Sequence, residues 1–373
     1  MTLNIPKERL LSLDVFRGVT VAAMILVNDP GSWDSVYSPL QHAKWDGCTP
    51  TDLIFPFFLF IVGVSISYAL PNQLKKGKTK GQLMLKILKR GLIIFGLGLF
   101  LNTFPTFDMS TIRIPGVLQR IALVFVVCGF IFLNSNVRMQ VYLTAFFLLF
   151  YWFLMTIVPV PGIGPANLEP ATNLGAWLDN LLLNGHLWSN SKVWDPEGLL
   201  STMPAFGTGL IGILTGTWIQ SKNDATVKVI WMLVFGAALI VLGMFWGLVF
   251  PINKALWTSS YVLYTGGLAL QGLAICYWLV DQQGYKSWIP PFVAFGINAI
   301  TAYFVAGILA KLLFFFKVGS GEEAQSLWGF LYQNLFTSWL PPYNASLAWA
   351  ICFVLVNFAV VWVMYKKKII IKV

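Results

Sequence analysis

The chain holds only two histidines, and one of them, His42, stands just before a long apolar run. Asp46 and Asp52 follow it closely, and Asn28 closes the apolar run before it. An imidazole has an unperturbed pKa of about 6.5 and is the usual general base near neutral pH. A carboxylate on one ring nitrogen would hold its tautomer, and a neighbouring amide would orient a carbonyl or a developing oxyanion. This combination suits proton transfer at a carbonyl centre. The spacing alone does not make a triad, and a loop histidine at an interface is also a common surface residue with no role.

Other ionisable or polar residues stand where hydrocarbon would be expected. Asp14 and Arg17 open the first apolar run, Gln119 and Arg120 lie in "TIRIPGVLQRIALVF", and Gln271, Asn298 and Lys311 fall within later runs. A charge at membrane depth costs a few kcal/mol or more, in rough terms, so it usually faces a cavity or a partner. Arg17 reads either as a cavity residue or as a snorkelling side chain paired with Asp14 three positions away. Arg120 lies deeper, which calls for a cavity or for pairing with Asp52 or Asp14. Asp195 and Glu197 in "DPEG" read as helix-start residues or as contacts for a polar or cationic acceptor. His186, just before Trp188 and Trp194, reads first as part of an interfacial aromatic belt. Thr258 or Ser259 in "NKALWTSS" reads as a helix cap.

The elements that must position these residues follow from composition. Of the 373 residues, 57% are hydrophobic and 11% charged, against about 25% charged in soluble proteins. Apolar runs of ~20 residues, long enough to cross ~30 Å of hydrocarbon as helices, recur along the chain. The expected fold is an all-α polytopic membrane protein with about 10–11 transmembrane helices. The spans are placed at 15–30, 52–71, 89–104, 116–134, 140–158, 198–219, 228–250, 258–281, 290–316 and 345–365. The segment 326–340 could add a re-entrant or interfacial helix. Residues 1–13, with Lys7 and Arg9, do not read as a cleaved signal peptide.

With the N-terminus inside, roughly 17 basic residues fall on the inner side and about 6 on the outer side. Both termini are therefore expected to be cytoplasmic, and both histidines to face outward. The net charge of +10 becomes a topology signal that needs no nucleic acid. Cys48, Cys128, Cys276 and Cys352 are far apart, without metal-ligand spacing, so neither a metal site nor a disulfide framework is expected. Residues 1–373 read as one transmembrane domain. The outer loop 159–197 reads as a lid anchored by Trp177, Leu181, Trp188 and Trp194.

Six stretches, in order, resemble one known family: "LLSLDVFRGVTVAAMILVN", "HAKWDGCTPTDLIFPFFLFIVGVSI", "RIPGVLQRIAL", "WDPEGLLSTMPA", "NKALWTSSYVLYTGG" and "FGINAITAYF". Together they are similar to the heparan-alpha-glucosaminide N-acetyltransferase family, including its bacterial members. The resemblance implies an acyltransferase that takes acetyl from cytosolic acetyl-CoA to an amino-sugar acceptor at the outer side of a bacterial cytoplasmic membrane. It implies His42 as the catalytic histidine and Asn28 as its companion. Asp46 stands where the family pattern expects asparagine, which leaves the choice of acceptor open. Asp46, Asp52, Asp195 and Glu197 are the expected acceptor contacts. Lys86 and Arg90 in the basic inner segment, with Arg17 and Arg120, are the expected contacts for acetyl-CoA; anionic lipid headgroups compete as the partner of that segment.

Two other functions compete. A small sugar or anion transporter would also carry ionisable residues within its spans, but it would move substrate without chemistry. An O-acyltransferase acting on a cell-envelope glycan would share donor and histidine and differ in its acceptor. The oligomeric state is open, with a homodimer formed through the lipid faces as one option.

Overall fold

The computed structural model describes residues 10–321 and 324–371. Lys7, Arg9 and Lys372, counted above toward orientation, lie outside the described residues. The fold is all-α apart from a two-residue ladder pairing β1 (Lys317–Val318) with β2 (Gln325–Ser326). The long helices are α1 (Leu11–Asn28), α2 (Ile54–Lys75), α3 (Lys80–Thr103), α4 (Val117–Asn134) and α5 (Val137–Ile157). After the short α6 (Leu174–Leu183) come α7 (Thr202–Ile219), α8 (Ala225–Gly247) and α9 (Ser259–Cys276), the last continued by a π turn over Tyr277–Gln282. The chain closes with α10 (Pro290–Ile297), α11 (Ala299–Phe315), α12 (Leu327–Tyr332) and α13 (Pro342–Lys366).

Among the described residues, seven helices are long and apolar enough to cross a membrane, or eight if the bent pair of α10 and α11 counts as one span. The remaining two expected spans are α3 and α7. Lys86, Lys89 and Arg90 charge the N-terminal half of α3, while Gly and Thr dilute the apolar character of α7. Both are nonetheless packed into the bundle: Leu83, Ile87 and Ile94 of α3 and most of α7 are buried. The segment 326–340 contributes a six-residue helix packed against α11 and α13, with Trp328 and Tyr332 buried. It is not a span.

Helix starts follow local chemistry. Thr79 and Gln82 form a reciprocal capping box on α3, and the side chains of Asn136, Asn173 and Thr258 accept from backbone N–H groups at the starts of α5, α6 and α9. Interior packing depends on small residues that let backbones touch. A Cβ added at Gly63 of α2 would lie 1.9 Å from the Gly209 carbonyl of α7, and one at Gly296 of α10 would lie 1.9 Å from the Asp14 carbonyl of α1.

The start of α1 and the end of α13 pack together. Leu11 and Val15 pack with Val280, Ile289 and Val293, and Tyr365 near the end of α13 joins them. Asn298 explains why the expected straight span 290–316 is broken. It leaves helical geometry at φ −112° and ψ 37°, and the two half-helices meet at 82°. Its side chain donates Nδ2–H to the Ile369 carbonyl and accepts from the Ile371 N–H. The bend is thus tied to the segment after α13.

Candidate active site

The loop from Asp29 to Leu53 is shaped by three short 3-10 turns, the last over Pro50–Leu53 and in contact with α1. Thr49 and Asp52 cap that last turn reciprocally. Asp52 Oδ2 accepts from the backbone N–H groups of Ala43 and Thr49 and from the Thr49 hydroxyl, each at 3.0 Å. The other oxygen, Oδ1, lies 2.6 Å from His42 Nδ1. A carboxylate accepts only, so Nδ1 carries the hydrogen, and in the neutral form of the ring the lone pair is then on Nε2. The two side chains differ in exposure: 44% for His42 and 1% for Asp52. One is anchored and the other reaches out.

A second loop, between α8 and α9, docks onto this one. Gly47 N–H donates to the Ile252 carbonyl at 2.7 Å, and Asn253 Nδ2 donates to Asp46 Oδ1 at 3.1 Å. That docking places Lys254 against the histidine pair. Its Nζ is 3.4 Å from Asp52 Oδ1, 3.0 Å from His42 Nδ1 and 3.4 Å from His42 Nε2. The Nδ1 hydrogen points at Asp52, so the ammonium meets the ring as a charge beside it. Burial pulls the Lys254 pKa below the ordinary lysine value, while Asp52 and Glu197 oppose that fall. The floor of the site is aromatic. Trp257, 1% exposed, packs edge-on against Phe55 and Tyr261, and the Tyr261 hydroxyl donates to the Asp52 carbonyl.

Asn28 is the last residue of α1 and is exposed where the loop to His42 begins. Next to it, burial pushes the Asp29 carboxyl up to about 7.

The remaining expected acceptor contacts are occupied within the protein. Arg113 Nε and Nη2 hold Asp195 at 2.8 and 2.6 Å, and Nη2 also holds Glu197. These carboxylates raise the Arg113 pKa despite the lowering effect of burial. His186 donates Nδ1–H to the Ile112 carbonyl at 2.9 Å and receives Ile114 N–H on its own carbonyl, which straps the loop before α4 to the loop after α6. In that outer loop Trp194 packs against both Trp45 and Trp188. Leu181, expected as an apolar anchor, is 60% exposed instead.

A cavity of about 320 Å³ runs between α1, α2, α3, α4, α10 and α11. At one end, by the close of α2 and the start of α3, its wall includes Gln73, Lys86, Arg90 and Ile371; Arg17 and Ser65 lie further along, and Phe58, Val117 and Tyr303 lie toward the start of α2. Phe58 is just over one helical turn into α2, which starts directly after the Asp52 turn. Lys86 donates to Gln73 at 2.9 Å, and Arg90 stacks over Phe125 with 5.1 Å to the ring centroid. Arg17 donates to Ser65 at 2.7 Å and to the Gly296 carbonyl at 3.2 Å, and pairs with Asp14 at 3.3 Å. The structure therefore brings Arg17, Lys86 and Arg90 to one cavity.

Arg120 is not part of that wall. It is 1% exposed, donates to the Gly198 carbonyl and the Ser201 hydroxyl, and lies 5.1 Å from the Trp257 ring centroid. The partners expected from sequence, Asp52 and Asp14, are replaced by the turn that starts α7. Sequence reasoning gave Lys254 no role beyond its place in "NKALWTSS". Its only local signal is a lone cation in an outer segment that the inner basic bias does not explain.

Comparison with known proteins adds an independent line. A family model described as heparan-alpha-glucosaminide N-acetyltransferase, catalytic, matches residues 9–249. The mouse protein named heparan-alpha-glucosaminide N-acetyltransferase is 28% identical over 422 residues, covering 98% of this chain and 61% of its own. The human protein of the same name is 28% identical over 351 residues, covering 79% and 52%. The chain thus spans between half and two thirds of the length of the curated relatives it matches.

Proposed function

Because the chain belongs to the heparan-alpha-glucosaminide N-acetyltransferase catalytic family, we propose that it transfers acetyl from acetyl-CoA to the amine of a glucosamine-type acceptor. The observation that carries this reading is the His42–Asp52 pair just before the start of α2, whose other end joins α3 at the basic mouth of the cavity. Acetyl-CoA enters from the cytosolic side, with its phosphates held by Lys86 and Arg90 and supported by Arg17. At about 320 Å³ the cavity is at the small end of ligand pockets. The pantetheine arm fits that size and the mostly aliphatic wall, and the nucleotide stays at the mouth.

The acceptor binds in the outer loops. Its amine nitrogen attacks the thioester carbonyl carbon, and His42 Nε2 takes the proton that the nitrogen must lose. Asn28 or a backbone N–H holds the oxyanion. Collapse of the tetrahedral intermediate breaks the C–S bond and releases coenzyme A and the N-acetylated sugar. In the covalent variant, His42 Nε2 takes the acetyl first and passes it to the amine. Asp46, bonded to Asn253, shapes the acceptor side by fixing the two loops together. Arg120 acts on donor and acceptor only indirectly, through the Gly198–Ser201 turn and Trp257. The protein works as a multi-pass membrane enzyme, in this reading in a bacterial cytoplasmic membrane, with loop 159–197 as a lid.

The test is the purified protein in detergent with radiolabelled acetyl-CoA and glucosamine, beside His42→Ala. Labelled N-acetylglucosamine from the wild type alone supports the proposal. Equal product from both removes His42 from the mechanism. Substrate flux in proteoliposomes without any acetylated product transfers the function to transport. An ester in place of an amide makes the protein an O-acyltransferase.

A further inference from the structure

The histidine pair contains an electrostatic conflict. The Asp52 carboxylate fixes the His42 tautomer, but an unbalanced carboxylate at 2.6 Å also favours a second proton on the ring. A doubly protonated imidazole has no lone pair and cannot act as a base or as a nucleophile. The charge that resolves the conflict is the Lys254 ammonium. Lys254 Nζ sits 3.4 Å from Asp52 Oδ1 and within 3.4 Å of both ring nitrogens.

We propose that Lys254 is the positioning residue of the site: its ammonium balances the Asp52 carboxylate, so that the carboxylate orients His42 without charging it. The inference rests on the reading of His42 as the reacting base. The family match ends at residue 249, five positions before Lys254.

The loop is built to deliver that charge. Gly47 and Asp46 hold Ile252 and Asn253 from one side. On the other, Asn253 N–H donates to the Thr258 hydroxyl and Asn253 Oδ1 accepts from Leu256 N–H. The residues before and after Lys254 are thereby fixed, which leaves the lysine side chain to span the gap to the pair. Other charged or titratable groups also face the site. Cys48 and Glu197 act on Lys254 through space, and Asp46 is engaged by Asn253. Glu197 is itself held by Arg113, and the Tyr261 hydroxyl donates to the Asp52 carbonyl. Among these, the described cation in contact with the pair is Lys254. Once the amine's proton reaches Nε2, the same ammonium repels the imidazolium and drives the proton onward.

Ring-labelled histidine in the full chain gives two NMR signals in detergent, one per histidine, assigned by the loss of one in His42→Ala. Titration of wild type, Lys254→Met, Lys254→Gln and Lys254→Arg from pH 5 to 9 then reads the His42 ring directly. The expected result is an upward move of the His42 midpoint by about one pH unit or more in Met and Gln. In Arg it stays close to wild type, and the His186 signal is unchanged in all four. The acidic limb of kcat/KM moves with it, a loss of about tenfold per unit below the new midpoint, recovered at higher pH. A His42 curve unmoved in Met or Gln, with His186 in place, overturns the proposal, as does an Arg curve that follows Met. Because the titration needs no turnover, a shifted midpoint in a protein that acetylates nothing would leave the role of Lys254 standing and overturn the transferase reading.

Discussion

His42 and Asp52 meet at 2.6 Å with one side chain 44% exposed and the other 1%. The carboxylate is locked by the Ala43 and Thr49 N–H groups and the Thr49 hydroxyl, so the pair has one fixed member and one that can reach a ligand. His42→Gln removes the base and should lower kcat by about 10²–10⁴-fold. Asp52→Asn should lower kcat as well, because an amide can donate to Nδ1 and so permit the wrong tautomer. Initial rates with saturating acetyl-CoA, and a melting curve to separate lost capping from lost chemistry, check both.

The basic mouth of the cavity predicts a different kinetic signature. Lys86→Ala and Arg90→Ala should each raise the KM for acetyl-CoA by about tenfold with little change in kcat, since each removes binding shared by ground and transition states. The same variants should affect S-acetylpantetheine, which lacks the nucleotide phosphates, much less. A loss of equal size with both donors would place these residues elsewhere in the reaction.

Asp29 gives a pH-dependent stability. Burial raises its carboxyl to about 7 in the folded protein, above the ~3.9 of an unfolded chain. The folded state therefore holds the proton more tightly, and the stability it contributes is fully present below about 4 and lost as pH rises through 7. Asp29→Asn should thus be more thermostable than wild type at pH 8, by a few degrees, about 2–5 °C, with the gap closing toward pH 5. Thermal unfolding in detergent at pH 5, 6.5 and 8 measures it. A constant gap across that range would mean that Asp29 does not ionise there.

Arg113 closes a buried charge cluster, with the Asp195 side chain 0% exposed. Arg113→Ala leaves that carboxylate buried without its partner, a cost of about 3–5 kcal/mol. The expected result is a large fall in melting temperature and protease sensitivity in the loops around residues 104–116 and 184–200. Arg113→Ala with Asp195→Asn should recover part of the loss.

What was legible in the sequence was local. A run of apolar residues makes a membrane helix almost wherever it falls, so the spans could be placed from hydropathy, and a lone histidine among aspartates stood out by residue type. The contacts that complete the site join distant loops. Lys254 reaches His42 across 212 positions, and Arg113 reaches Asp195 across 82; which loops meet depends on the order of helices around the bundle, a property no window of sequence contains. Arg120 was misplaced for the same reason. Depth in a span says that an arginine needs company, and only the packing of α4 beside the start of α7 says that Gly198 and Ser201 supply it. The break at Asn298 escaped because its bonding partners, Ile369 and Ile371, lie beyond the last span.

That break also has an electrical consequence. An unbroken helix keeps its end charges, roughly half an elementary charge each, at the two watery faces of the membrane. Here the tail of α10 and the head of α11 meet at Asn298, and Gly296, Ile297, Ala299 and Ile300 line the cavity. Opposed backbone dipole ends are therefore set into the wall of the cavity, where Arg17 donates to the Gly296 carbonyl. They form a standing field that owes nothing to any titrating side chain and that no change of pH can switch off.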